Sequence, residues 1–333
     1  MNLNGIKCAK SLLVVLAVSC VLAEESEYRK ARREGALTRM RICLVDDLEM
    51  PVPNAAVNVV FGMNFRERAR VADGRTDERG LFEVQGKTCG DEIEIRATKD
   101  GYYSSCLKLC YATMGNEHKV KDGKWLPFDF EEKLHLRKIV SPIELTEMDS
   151  VVDVPRTNVW VGFDMKKCAF VHPFGDGEVS DFEAKVAWDG FPASSSQVCR
   201  VEIRFSTESA GGFYFKNISE SRFSGPMRVD QTRAFDVQTL AVVDRMGDPY
   251  LTRKPFPAGV SLVSRTRCKT DPSGNVLFAN YGSIRNVDIG TSRRGVATLF
   301  ISYVFNPTPN DTNLEPMSYE AKRWLKEQKL GKK

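Results

Sequence analysis

From residue 37 to residue 140, apolar and polar positions alternate in short bursts. Met40-Arg41-Ile42-Cys43-Leu44-Val45, Ala56-Val57-Asn58-Val59-Val60-Phe61, Glu92-Ile93-Glu94-Ile95-Arg96-Ala97 and Lys133-Leu134-His135-Leu136-Arg137 set their apolar side chains on one face at a period of two, the spacing of half-buried strands. Between them stand Pro51-Val52-Pro53-Asn54, Thr76-Asp77-Glu78-Arg79-Gly80 and Asp100-Gly101, where Pro presets φ, Asp caps its own turn and Gly accepts positive φ. The pattern predicts six or seven strands and a small β-sandwich over 37–140.

Residues 141–155 carry acids and Pro155 without periodicity and read as a linker. Over 156–309 apolar segments return at intervals: Val159 to Phe163, Phe182 to Trp188, Val198 to Phe205, Gly212 to Phe215, Ala234 to Val243, Gly259 to Ser264, Val276 to Tyr281 and Val296 to Phe305. Gly211-Gly212 and Asp271-Pro272-Ser273-Gly274-Asn275 supply turns. This predicts a second antiparallel sandwich, jelly-roll-like. Good helix formers over 316–330, with Ser318 as N-cap, predict a short terminal helix. Its Tyr319, Trp324 and Leu325 are expected to dock on the sandwich, the rival being a membrane surface. The fold class is therefore mainly β: two antiparallel β-sandwich domains and a short C-terminal helix.

The amino end has a different pattern. Lys7 and Lys10 precede the apolar run Leu12 to Val18, and Val21-Leu22-Ala23 ends just before Glu24-Glu25-Ser26-Glu27. That order is a secretory signal over 1–23 with cleavage after Ala23, leaving 24–36 as a flexible linker. A second reading is a lipoprotein signal, in which Ala17-Val18-Ser19 precedes Cys20 and Cys20 carries the lipid. The apolar run is about half of the roughly 20 residues a membrane-spanning helix needs. Either signal implies an exported chain that is periplasmic, secreted or on the cell surface.

Charge changes the picture little. Removing residues 1–23 takes away two lysines and no acid, so 46 Lys and Arg stand against 44 Asp and Glu. A chain that neutralises many phosphates shows a basic domain or stripe, and the one dense run here, Arg29-Lys30-Ala31-Arg32-Arg33, sits in the linker. No nucleic-acid partner is expected. The mature chain of about 310 residues exceeds what one core usually organises, which favours two domains. It keeps seven cysteines, Cys43, Cys89, Cys106, Cys110, Cys168, Cys199 and Cys268; with an odd number, at least one is left without a partner inside the chain. Cys106 and Cys110, on one strand, would be about 13 Å apart, too far for a bridge.

Over residues 38–110 the chain resembles a carboxypeptidase regulatory-like domain, a transthyretin-like sandwich. The resemblance rests on the first strand ending in Val45-Asp46, the entry Pro51-Val52-Pro53-Asn54-Ala55-Ala56-Val57, the turn Thr76-Asp77-Glu78-Arg79-Gly80-Leu81-Phe82, and Lys99-Asp100-Gly101-Tyr102. It implies an accessory module of extracellular proteins, used for packing, spacing or weak ligand contact, and not itself catalytic. The Arg-rich insertion from Asn64 to Asp73 and the cysteines depart from the family pattern. In the second half, Asn158 to Phe163, Phe213-Tyr214-Phe215 and the strand running into Asn306-Pro307-Thr308-Pro309 resemble an uncharacterised family of exported bacterial proteins, which carries no function with it.

Candidate chemistry is sparse. His118, His135 and His172 lack the H-E-x-x-H spacing of a zinc hydrolase, and there is no G-x-S-x-G elbow, phosphate loop or dinucleotide fingerprint. His172-Pro173-Phe174-Gly175-Asp176-Gly177-Glu178-Val179-Ser180-Asp181 is the densest polar cluster, and Asp176, Glu178 and Asp181 are candidate Ca2+ ligands because calcium favours oxygen-rich loops. A structural turn explains the same residues without metal. Tyr250 and Phe256, in Pro-rich loop sequence, are candidate stacking platforms for a carbohydrate, although most aromatic residues belong to cores. The expected function is a non-catalytic exported protein, binding or structural at the cell envelope, with carbohydrate or another envelope protein as partner and membrane contact only through a lipid anchor. The alternative is a glycan-active enzyme with its two carboxylates on the second domain.

Overall fold

The computed structural model describes residues 27–62, 70–90, 92–111, 119–187, 198–218, 220–221, 223–245, 257, 259–291 and 296–330. The chain divides into two compact units, Met1–Ile139 with Glu220–Arg222, and Val140–Ser219 with Phe223–Lys333.

In the first unit a helix over 27–34 (α1) precedes β1 (Ala36–Val45), β2 (Ala56–Phe61), β3 (Arg70–Arg75), β4 (Leu81–Thr88), β5 (Ile93–Thr98), β6 (Ser105–Leu109), β7 (Val120–Lys121), β8 (Lys124–Trp125) and β9 (Phe130–His135). One sheet runs β4-β1-β8-β7 with β9 also paired to β1, and the other runs β3-β2-β5-β6. The alternation read from the sequence sets the inner face: Met40, Ile42 and Leu44 of β1 meet Val57, Val59 and Phe61 of β2 and Ile93, Ile95 and Ala97 of β5 in one buried cluster. The turn before β4 is built as its residues suggest, with the backbone N–H groups of Arg79 and Leu81 donating to Asp77 Oδ1.

Two features of this unit differ from the sequence reading. Strand β9 lies parallel to β1, from Met40 opposite Phe130 to Val45 opposite His135. The chain leaves the first sheet after β4, builds β5 and β6 in the second, and comes back running in the same direction as β1. The stretch 24–36 is also no mere linker, because 27–34 is helical. Ala31 is buried, the Arg32 guanidinium donates to the Cys89 carbonyl at 2.9 Å, and the Tyr28 ring meets Trp125 edge-on at 6.1 Å. Trp125 is itself stacked on Tyr111 at 4.8 Å and donates its indole N–H to the Thr88 carbonyl.

The second unit contains β10 (Thr146–Asp153), β11 (Trp160–Asp164), β12 (Ala169–Phe170), β13 (Phe182–Ala187), β14 (Val198–Phe205), β15 (Gly211–Lys216), β16 (Thr239–Arg245), β17 (Val260–Thr270), β18 (Val276–Thr291), β19 (Ala297–Asn306) and a helix α2 (Tyr319–Leu330). Its sheets run β10-β19-β18-β17-β15 and β12-β11-β13-β14-β16, all antiparallel. The chain swaps sheets between β14, β15, β16 and β17, and so closes a jelly-roll-like sandwich. Phe163, Phe182, Val201, Ile203, Leu299, Ile301, Tyr303 and Phe305 fill the space between the sheets. The region read as a linker, 141–155, carries β10, an edge strand on β19.

The outer face of the β10–β15 sheet has an apolar cluster of its own, in which Phe213, Val263, Ala279 and Tyr281 are covered by Val229, Phe235 and Leu314. At the carboxyl end Ser318 Oγ accepts the Ala321 N–H and caps α2, whose Ala321 is buried while Tyr319 is 73% exposed. No helix among the described residues is long and apolar enough to cross a membrane. None of the seven cysteines is in a disulfide.

Candidate functional site

Of the three carboxylates expected to hold a cation, only Asp181 is buried. Its Oδ2 accepts the Met165 N–H at 2.8 Å, and its Oδ1 accepts the Thr266 hydroxyl at 2.7 Å and Arg267 Nε at 2.9 Å. Arg267 Nη2 reaches Asp181 Oδ2 at 2.8 Å and, on its other side, Asp164 Oδ1 at 2.7 Å. Asp164 also receives backbone N–H groups from Lys166 and Lys167 on one oxygen and from Glu178 and Val179 on the other. Burial alone would raise the Asp164 carboxyl; the N–H groups of Glu178, Val179 and Lys167, followed by the Arg267 charge, outweigh it and hold the group below the ordinary carboxylate value. Burial likewise opposes the charge on Arg267, and the two aspartates outweigh it and raise its pKa.

This network explains the polar cluster of the sequence. It fastens the loop between β12 and β13 onto the end of β11, and Gly177 lies so close to it that a Cβ there would sit 2.8 Å from the carbonyls of Ala169 and Phe170. Glu178 lends its N–H to Asp164 and points its carboxylate out to Lys167 Nζ at 2.6 Å; Asp176 is exposed. Asp176, Glu178 and Asp181 are not brought together. Among the described residues no group of three His, Cys, Asp or Glu side chains is placed to hold a metal ion. The other singled-out positions, Tyr250, Phe256 and Cys20, lie outside the described residues, as do His118 and Trp188.

His135, at the end of β9, stands between two glutamates in the first unit: Nδ1 is 2.6 Å from Glu220 Oε1 and Nε2 is 3.1 Å from Glu49 Oε1. Burial works against the imidazolium, but the hydrogen bonds from Glu220 and Glu49 prevail and its pKa is raised.

Described residues line two concave sites. One, of about 330 Å³, lies beside α1 and mixes Glu27, Lys30, Glu34 and Lys87 on its walls. The other, of about 300 Å³, belongs to the second unit and is lined by Gln231, Arg265, Val276, Leu277, Tyr281 and Asn310. Here Arg265 Nε donates to the Ser209 carbonyl at 3.0 Å and its guanidinium stacks on Phe235 with Cζ 4.3 Å from the ring centre. Gln231 Nε2 donates to the Tyr281 hydroxyl at 2.7 Å. Asn310 accepts the Ala279 N–H and donates to the Leu277 carbonyl, tying the loop after β19 to the start of β18. Sequence reasoning passed over all six residues. The one available signal was Arg265-Thr266-Arg267 at the end of an apolar strand, where a charged face needs a reason.

The fold and these sites define a two-unit β-sandwich protein with a polar cavity on an outer sheet face. No family model matches the chain, and no curated protein matches it. Among solved structures it is similar to 3-chlorocatechol 1,2-dioxygenase from Rhodococcus opacus 1CP, at 14% identity and TM-score 0.25 over 32% of this chain and 61% of that one. It is similar to chlorocatechol 1,2-dioxygenase from Pseudomonas putida at 9% identity and TM-score 0.25, over 31% and 61%. BcpA, the major pilin subunit of Bacillus cereus, matches at 13% identity and TM-score 0.22 over 84% of this chain and 95% of that one. The chain thus spans 61% of the length of the dioxygenases named first. At these TM-scores the likenesses carry no argument.

Proposed function

We propose that this chain is an exported, non-catalytic β-sandwich protein that works by binding at the cell envelope. The observation that carries the export half is the order of residues at the amino end: Lys7 and Lys10, the apolar run Leu12 to Val18, then Val21-Leu22-Ala23 before an acidic stretch. The resemblance of 38–110 to a carboxypeptidase regulatory-like module agrees with an accessory role outside the cytoplasm. What supports the non-catalytic half is the way the buried carboxylates are used. Asp164 and Asp181 have their oxygens filled by backbone donors, Thr266 and one bridging arginine, an arrangement that fixes a loop and leaves no lone pair aimed at a substrate.

Intact-mass and amino-terminal analysis of the protein recovered from its native host tests the export reading. A chain beginning at Glu24 is expected. A diacylglycerol adduct on Cys20 would replace cleavage after Ala23 with lipid tethering at the envelope, and an unprocessed chain in the cytoplasm would overturn export altogether.

A further inference from the structure

We infer that the cavity on the outer face of the β10–β15 sheet is a binding site for a hydroxylated carboxylate, the chemistry of a sugar acid. This rests on the binding-protein reading and gives that protein its ligand class.

The cavity has one cation and no acid on its described walls. Arg265 has no carboxylate within ion-pair distance among the described residues, whereas Arg200, Arg204, Arg267 and Arg323 of this unit have one. Its guanidinium is nevertheless not loose. The Phe235 ring beneath it and the Ser209 carbonyl at Nε fix the plane of the fork, and a fork held in plane loses little freedom when it takes a planar carboxylate in two parallel hydrogen bonds.

A single guanidinium balances one negative charge. A phosphate, with nearly two at neutral pH, ordinarily calls on several cations or a nest of backbone N–H groups, which these walls do not offer. The remaining polar atoms suit hydroxyl groups. The Tyr281 hydroxyl accepts from Gln231 and so has its own proton to donate, while among the described residues no group donates to the Gln231 amide oxygen. Val276 and Leu277 supply the apolar part of the walls, and Leu277 is 63% exposed, which leaves its side chain open to contact from an apolar ring face.

The size agrees with this class. About 300 Å³ lies at the low end for ligand clefts, room for one compact molecule or one terminal unit of a chain. The walls are also preformed: β17 and β18 are paired, Asn310 pins the loop after β19 to both ends of 277–279, and Tyr281 is almost wholly buried. A site that is already shaped pays less ordering entropy on binding.

The test is calorimetric titration of the processed full-length protein with galacturonate, galactose and lactate. Galacturonate is expected to bind at least about tenfold more tightly than galactose, which lacks the charge, and than lactate, which lacks the ring, each tenfold being about 1.4 kcal/mol. Arg265→Gln should abolish the preference for the acid, and Arg265→Lys should retain part of it. Gln231 is exposed, so Gln231→Ala keeps the fold and should weaken binding several-fold, which covers the case of an Arg265 variant that fails to fold. Absence of galacturonate binding, equal affinity for galactose, or full affinity in Gln231→Ala together with a folded Arg265→Gln would each overturn the inference. None of these results bears on processing of the amino terminus, so the export reading stands or falls separately.

Discussion

Arg265 and Arg267 stand two positions apart on β17 and leave the sheet on opposite sides. In a regular strand they would share a face. Val263 and Arg265 do face outward, toward Phe235. Arg267 instead has φ of 52° at the point where the pairing with β18 slips between Thr266 and Lys269, and this bulge turns its side chain inward beside Thr266, onto Asp181 and the Phe305 ring. One backbone irregularity therefore supplies a cation to the interior and another to the outer cavity.

Replacing the inward arginine should be costly. Arg267→Met leaves Asp164 and Asp181 as neighbouring buried charges without a counter-ion, and removal of one partner from such a pair typically costs about 3–5 kcal/mol. Urea unfolding followed by tryptophan fluorescence should show the second unit melting at markedly lower denaturant. A midpoint unchanged from the native chain would mean that the network contributes little.

The histidine at the end of β9 gives the first unit a pH dependence. Its pKa is raised above 6.5 by Glu220 and Glu49, so the stability it contributes is fully present below about pH 6.5 and is lost as pH rises through the higher folded-state value. Thermal melts from pH 5.5 to 8.5 should show the difference between the native chain and His135→Gln shrinking toward the alkaline end. A difference that grows with pH would reverse the assignment.

Acid should act on the second unit in the other sense. Asp164 titrates below its ordinary value of 3.8, so its contribution is present above that value and disappears as pH falls through the lower folded-state one. In Asp164→Asn the slope of stability against pH between about 5 and 2 should be shallower than in the native chain, as read by circular dichroism.

Packing makes a simpler prediction in each unit. Phe163 is wholly buried and lies 5.1 Å from Phe182 in a stacked pair and 5.3 Å from Phe170 edge-on. Phe163→Ala should cost about 3–5 kcal/mol. At Gly86 of β4 a Cβ would sit 2.4 Å from the Phe61 ring, and that ring is walled in. Gly86→Ala should cost about 1–3 kcal/mol by overpacking, measured by denaturant midpoint.

What the sequence made legible follows from where burial is one-sided. The strands whose apolar residues alternate, such as β1, β2 and β5, fall where period-two patterning puts them. β10 escaped because it is an edge strand with only Met148 buried; its pairing with β19, not its own composition, makes it a strand. The helix over 27–34 was hidden by its charge run, since only Tyr28 and Ala31 pack against the core. Strand direction leaves no trace in periodicity, so the parallel β9 was equally invisible. The cluster around Asp181 was visible as a concentration of acids and glycines, but its purpose depended on Arg267, 86 residues onward, and on a bulge that no local pattern announces.

The first strand of the second unit is β10 and the last is β19, and these two lie side by side from Thr146 opposite Phe305 to Asp153 opposite Thr298. Its opening strand thus waits for a partner about 150 residues further along the chain, and sheets dependent on such remote pairings assemble slowly. The edge of that sheet is therefore completed last along the chain, whatever the order in which its other strands pair.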